Sequence, residues 1–113
     1  MSQITTHVLD VSIGQPAVDI SVTLEIETTD SGWKELSRGA TDGDGRVRHL
    51  LAPGSLVEGT YRLRFGTRAY FKSRKIKALY PEVSVTFSVR NAKDNYHIPL
   101  LLSPFGYTTY RGS

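Results

Sequence analysis

Ile20-Ser21-Val22-Thr23-Leu24-Glu25-Ile26-Glu27 alternates apolar and polar side chains at every step. Successive side chains of an extended chain point to opposite faces, so this period of two gives a strand with one buried face and one wet face. The alternation recurs downstream. Tyr61, Leu63 and Phe65 are separated by Arg62 and Arg64, and Val83, Val85, Phe87 and Val89 by Ser84, Thr86 and Ser88. β-branched and aromatic residues fill these runs, as strands prefer. Residues 4–10 and 33–41 repeat the pattern less regularly. Turn chemistry punctuates it at Gly14-Gln15-Pro16, Thr29-Asp30-Ser31-Gly32, Asp42-Gly43-Asp44-Gly45 and Pro53-Gly54. The second of these lies where a hairpin would, and the third is the strongest turn, because glycine tolerates positive φ without steric cost. Several short strands with regular turns predict an all-β, two-sheet antiparallel sandwich.

Two segments depart from the period. Residues 68–79 carry Tyr70, Phe71, Ile76 and Leu79, which fit one helix of two to three turns. Pro81 limits it, since the residue before a proline disfavours the α region. Ile98-Pro99-Leu100-Leu101-Leu102 is apolar without interruption, which predicts a strand covered on both faces. One sandwich core supplies one cover, and a second copy of the chain would supply the other. Pro99 cannot donate to a ladder, which predicts an edge or bulge position.

The chain has 113 residues, room for a single domain spanning 1–113 and one core. It has no cysteine, which excludes disulfides, thiolate-ligated zinc, iron–sulfur clusters and cysteine nucleophiles. Fourteen Lys+Arg against eleven Asp+Glu leave a net charge of +3, which permits an anionic partner without demanding one. No basic region followed by an apolar run opens the sequence, and residues 95–110 are too short and too broken by proline and glycine to span a bilayer. No membrane association is expected, and the cytoplasm is the simplest compartment.

Three histidines, His7, His49 and His97, are the side chains best suited to moving protons near neutral pH. Read alone, His7 and His97 on strands beside apolar residues are packing residues, and His49 is a solvated loop residue. Their spacing gives no local metal motif, so no metal site is expected. Asp42-Gly43-Asp44-Gly45 lacks the ligand series and closing glutamate of a calcium loop, and Arg46 and Arg48 follow it instead. Arg46 either points into water or presents its planar fork of donors to a carbonyl or an anionic ring. Arg62, Arg64, Arg68, Lys72, Arg74, Lys75 and Lys77, interleaved with aromatics and uninterrupted by acids, could meet a nucleic acid. The wet face of a strand plus a solvated helix explains them better. No Gly-x-Ser-x-Gly occurs, so water is the simpler nucleophile if hydrolysis takes place.

Two stretches carry a family resemblance. One is His7-Val8-Leu9-Asp10 with Gly14, Pro16-Ala17, Ile20 and Val22. The other runs from Tyr96-His97-Ile98-Pro99 through Leu100-Leu101-Leu102-Ser103-Pro104-Phe105-Gly106 to Tyr107-Thr108-Thr109-Tyr110-Arg111-Gly112-Ser113. Together, in order and spacing, they resemble the transthyretin-like family, and within it the enzyme branch of 5-hydroxyisourate hydrolases. Thr41-Asp42-Gly43-Asp44-Gly45-Arg46 is similar to the family's Asp-Gly-Arg turn. The hormone-carrier branch has lysine at the position of His7, threonine at that of His97, and no terminal Tyr-Arg-Gly-Ser.

The resemblance implies a two-sheet sandwich with one short helix, assembled as a homotetramer, a dimer of dimers, with active sites in a channel between dimers. It implies hydrolysis of the cyclic amide of 5-hydroxyisourate to 2-oxo-4-hydroxy-4-carboxy-5-ureidoimidazoline in urate degradation, with no cofactor. The catalytic set it implies is His7, His97 and Arg46. The histidines handle protons, either of them serving as the base, and Arg46 binds the polar ring edge. Tyr110 is a substrate hydrogen-bond partner, and Arg111 and Ser113 organise the site. The competing expectations are a non-catalytic carrier of a small aromatic ligand in the same channel and a basic domain that binds nucleic acid.

Overall fold

The computed structural model describes residues 2–113. Nine strands and one helix follow in the order β1 (Ile4–Asp10), β2 (Gln15–Pro16), β3 (Ser21–Glu27), β4 (Trp33–Ala40), β5 (Arg46–Val47), β6 (Gly59–Gly66), α1 (Thr67–Ser73), β7 (Val83–Val89), β8 (Tyr96–Ser103) and β9 (Gly106–Thr109). One sheet has the order β2-β1-β8-β9, with β5 also on β1; the other has the order β4-β3-β6-β7. The alternating residues meet between them. Val22 and Leu24 from β3, Tyr61, Leu63 and Phe65 from β6, Ile4 and Val8 from β1, and Leu100 and Leu102 from β8 are all buried. Each such side chain contributes about 1.5–3 kcal/mol by leaving water.

The predicted sandwich is present, with one departure from antiparallel pairing. β1 and β8 run parallel, from Ile4↔Tyr96 to Asp10↔Leu102. Alternation reports which face a residue takes and is silent on strand direction. Pro99 also differs from expectation, because β8 lies between β1 and β9 and is not an edge. The proline is tolerated because the β9 ladder lapses there. Leu100 pairs with Thr109, the next contact is the isolated bridge His97↔Gly112, and between them only the Thr109 hydroxyl donates to the Pro99 carbonyl (2.8 Å).

The helix is shorter than the pattern predicts. It stops at Ser73, Arg74 and Ile76 both donate back to the Phe71 carbonyl, and Lys75 takes φ 59°. The following segment is thereby pulled off the helical path, and Leu79 is 62% exposed rather than on a buried helical face. Tyr70 and Phe71 keep α1 on the core. The Tyr70 hydroxyl donates to the buried Asp10 carboxylate at 2.6 Å, and Asp10 also accepts from the backbone N–H (3.0 Å) and hydroxyl of Ser12. Burial, followed by the Asp10 contact, pushes the Tyr70 hydroxyl up to about 12, so it remains a donor.

Two arginines of the basic run are paired with acids. Arg62 pairs with Glu25 at 2.7 Å and Arg64 with Glu82 at 2.8 Å. The Asp42–Gly45 segment is a turn, as expected. The Asp42 carboxylate accepts from the backbone N–H groups of Asp44 and Arg46, both at 2.9 Å, and Gly45 has φ 78°.

Candidate active site

The outer face of the first sheet collects the chemistry. Residues directly opposite in a ladder share a face, and so do residues two apart on one strand. His7 is opposite Arg46 on β5, Thr5 is opposite His97 on β8, and His7 is opposite Pro99. Thr5, His7, Arg46 and His97 therefore stand on one surface, turned away from the second sheet. The Asp42–Gly45 turn delivers Arg46 by folding tightly onto β1, where the Val8 N–H donates to the Gly45 carbonyl at 2.7 Å. A side chain at Gly45 would collide with the Val8 carbonyl and reach within 3.4 Å of His7 Cδ2, so the glycine before Arg46 is required by close approach.

His97 is held on two flanks. Its Nδ1 and the Thr5 hydroxyl are 2.8 Å apart. On the other flank, the Gly112 N–H donates to the His97 carbonyl at 2.7 Å, and the Gly112 backbone lies against the ring. Nε2 has no hydrogen-bond partner among the described residues. Partial burial, then the positive charge of Arg46, then His7, hold the His97 ring below the ordinary value of 6.5. The ring is therefore neutral at pH 7 and able to accept a proton.

A cavity of about 680 Å³ opens beside it, lined by Thr5, Arg46, His97, Arg111, Gly112 and Ser113 among others. A smaller one of about 330 Å³ shares Thr5 and Arg46 and reaches the exposed His49. Neither is lined by an aspartate or glutamate, the larger one includes Ser113 with its α-carboxylate, and no carboxylate pairs with the Arg46 guanidinium among the described residues. The unpaired Arg46 guanidinium and the Thr5 hydroxyl offer hydrogen-bond donors there, suited to a polar ring that gains negative charge. No group of three potential metal ligands forms among the described residues. A third concavity, of about 540 Å³, lies along α1 between Arg68, Lys72 and Lys75, and it gathers neither histidine nor carboxylate.

Four of the six residues singled out in the sequence, His97, Arg46, Arg111 and Ser113, line the larger cavity. His7 is half-buried beside it and close enough to act on the charge of His97. Arg111 is anchored at the rim, its guanidinium 4.5 Å over the Tyr96 ring and donating to the Asn95 carbonyl at 3.1 Å. Tyr110 does not line either cavity within one chain and is 54% exposed. Thr5 and Gly112 were missed. Thr5 shares parity with His7, which was the available signal, while its pairing with His97 depends on an inter-strand register.

A family profile described as the HIUase/Transthyretin family matches residues 4–112. The chain belongs to the HIUase/Transthyretin family. Among its relatives, mouse 5-hydroxyisourate hydrolase is 44% identical over 113 residues, which cover 99% of this chain and 96% of the relative. The solved structure of Klebsiella pneumoniae 5-hydroxyisourate hydrolase is similar with a TM-score of 0.85 and 32% identity, over 97% of this chain and 92% of that one. Transthyretin from Sparus aurata is similar with a TM-score of 0.93 and 29% identity, over 99% and 97%. This family member thus has the backbone common to enzyme and carrier. On the outer face of that backbone this chain has His7 and His97.

Proposed function

We infer that the chain hydrolyses 5-hydroxyisourate to 2-oxo-4-hydroxy-4-carboxy-5-ureidoimidazoline, a ring-opening step of urate degradation. The observation that carries this reading is a neutral, two-sided-clamped His97 sharing a cavity with an unpaired Arg46. Water attacks the carbonyl carbon of the cyclic amide while a histidine takes its proton. Negative charge grows on the carbonyl oxygen, and Arg46 is placed to offset it. The C–N bond breaks and the leaving nitrogen is protonated, so the pair His7 and His97 both removes and supplies a proton. Tyr110 hydrogen-bonds the substrate, and Arg111 and Ser113 shape the cavity wall.

The working unit is a homotetramer, a dimer of dimers, with this face lining a channel between dimers. The support for it is that the outward-facing apolar residues Leu9 and Leu101 are only partly buried within one chain. In that assembly Tyr110, which is exposed and lines neither cavity of its own chain, gains a route to a substrate. No helix among the described residues is long and apolar enough to cross a membrane. The proposed compartment is the cytoplasm.

Freshly generated 5-hydroxyisourate, made with urate oxidase, provides the test. Its ultraviolet decay is expected to accelerate with this protein. His97→Ala is expected to lose about a hundred- to ten-thousand-fold in kcat, the usual cost of one acid–base group. Spontaneous decay with folded wild-type protein overturns the hydrolase and leaves a channel that binds a small aromatic ligand without turnover.

A further inference from the structure

The two histidines are chemically alike, and the fold treats them differently. Thr5 and His97 are direct ladder partners, and the Thr5 hydroxyl is 2.8 Å from Nδ1. Gly112 closes the Cδ2 flank of the same ring: a Cβ there would be 2.6 Å from Cδ2 and 3.3 Å from Cγ. With Nδ1 engaged and Cδ2 covered, the free edge of the ring is Nε2, on the side of the cavity it shares with Arg46 and Arg111. A neutral imidazole carries one N–H, and the partner of one nitrogen decides the state of the other. The unpaired Arg46 guanidinium on the cavity wall favours a lone pair, not an N–H dipole, on the nitrogen that faces it. A threonine hydroxyl can donate or accept, so it adapts to the tautomer the cavity selects and then holds it.

We propose that Thr5 is a positioning residue whose hydroxyl oxygen accepts the Nδ1–H of His97, fixing the tautomer in which Nε2 presents its lone pair to the attacking water. His97 is then the general base and His7 the general acid. The inference rests on the hydrolase reading for its kinetic consequence, while the tautomer stands apart from it. The step balances as follows. The water oxygen bonds to the carbonyl carbon as its proton passes to Nε2 of His97. The C–N bond then breaks as the carbonyl re-forms, and its electron pair takes a proton donated by His7. Proton exchange with solvent resets both rings.

The test has two arms. In the first, ¹⁵N-labelled wild-type protein is studied by long-range ¹H–¹⁵N correlation of the His97 ring, at a pH where the ring is neutral. The expected result is a protonated Nδ1 and a bare Nε2, and a protonated Nε2 in the wild type overturns the proposal outright. In Thr5→Val, which keeps the shape and β-branching of the side chain and removes the hydroxyl, the Nδ1–H loses its acceptor and the preference is expected to weaken, with the Nε2–H form appearing in the spectrum. In the second arm, Thr5→Val is expected to lower kcat about 10- to 100-fold, the usual cost of removing an outer-shell partner, with KM little changed. Thr5→Ser is expected to restore it. Wild-type kcat in a folded Thr5→Val protein, or no recovery in Thr5→Ser, refutes the role. If Thr5→Val does not fold, the wild-type spectrum and Thr5→Ser still decide. A bare Nε2 in a protein that fails to hydrolyse 5-hydroxyisourate refutes the hydrolase reading and spares the tautomer.

Discussion

Replacing Gly112 by alanine tests how tightly the His97 ring must be held. The added Cβ would be 2.6 Å from His97 Cδ2, and ordinary contact begins near 3.4 Å, so about 0.8 Å of displacement is needed. The Cβ cannot escape towards Pro99, whose Cγ is 3.2 Å from it on a rigid pyrrolidine. The His97 backbone is fixed by β1. The relief left is rotation of the imidazole away from Gly112, which disrupts its 2.8 Å contact with Thr5, or lifting of residues 111–113, which breaks the 2.7 Å bond from the Gly112 N–H to the His97 carbonyl. Misplacing a reacting group by about 1 Å can cost about 100-fold. Gly112→Ala is therefore expected to lower kcat/KM by about two orders of magnitude, through kcat if the ring turns and through KM if the segment lifts. Its unfolding midpoint in urea should barely move, because Gly112 lies outside the core. The assay is the decay of fresh 5-hydroxyisourate at several concentrations, beside a urea titration. Wild-type kcat and KM in the variant would show that the ring has slack, and the clamp would be refuted.

Two further outcomes follow from the same geometry. Because burial, Arg46 and His7 all hold His97 below 6.5, its base form persists below that pH. The acid limb of kcat/KM is expected below pH 6.5, and in Arg46→Ala, where one of those causes is removed, it should move up; a limb above 6.5, or one unmoved in the variant, contradicts this. Tyr70→Phe removes one of the hydrogen bonds to the buried Asp10 carboxylate and is expected to cost about 1–3 kcal/mol. Urea unfolding measures that cost, and unchanged kcat per folded molecule separates it from any role in the chemistry.

The strands were legible because burial and side-chain parity are one property. Ile20 to Glu27 and Val83 to Val89 each name their buried face, and the structure buries Val22, Leu24, Val83 and Val89. The early end of α1 was not legible. The apolar spacing of Tyr70, Phe71, Ile76 and Leu79 continues past Ser73, whereas the chain turns at Lys75 in a left-handed conformation that no glycine or asparagine announces. The direction of β8 was equally hidden, since a reversed strand has the same alternation. His7, Arg46 and His97 could be named from the family's motifs. Their partners could not, because Thr5 and Gly112 matter only through pairings 92 and 15 residues away in sequence.

Strand direction also fixes the spacing of the chemistry. In the parallel register His97 is opposite Thr5, and His7 is opposite Pro99. The histidines are thus one ladder step out of line on the same face, rather than directly paired, where two protonatable rings would oppose each other's charge. The proline opposite His7 brings no polar side chain to compete for its nitrogens. The hydroxyl opposite His97 binds one nitrogen and leaves the other free. Two identical residue types thereby receive different surroundings from one register, which is the condition for one to give a proton while the other takes one. A one-residue slip between β1 and β8 would send His97 to the core side and place Ile98 beside the cavity, so the burial of Tyr96, Ile98 and Leu100 that fixes the register also fixes the assignment of acid and base.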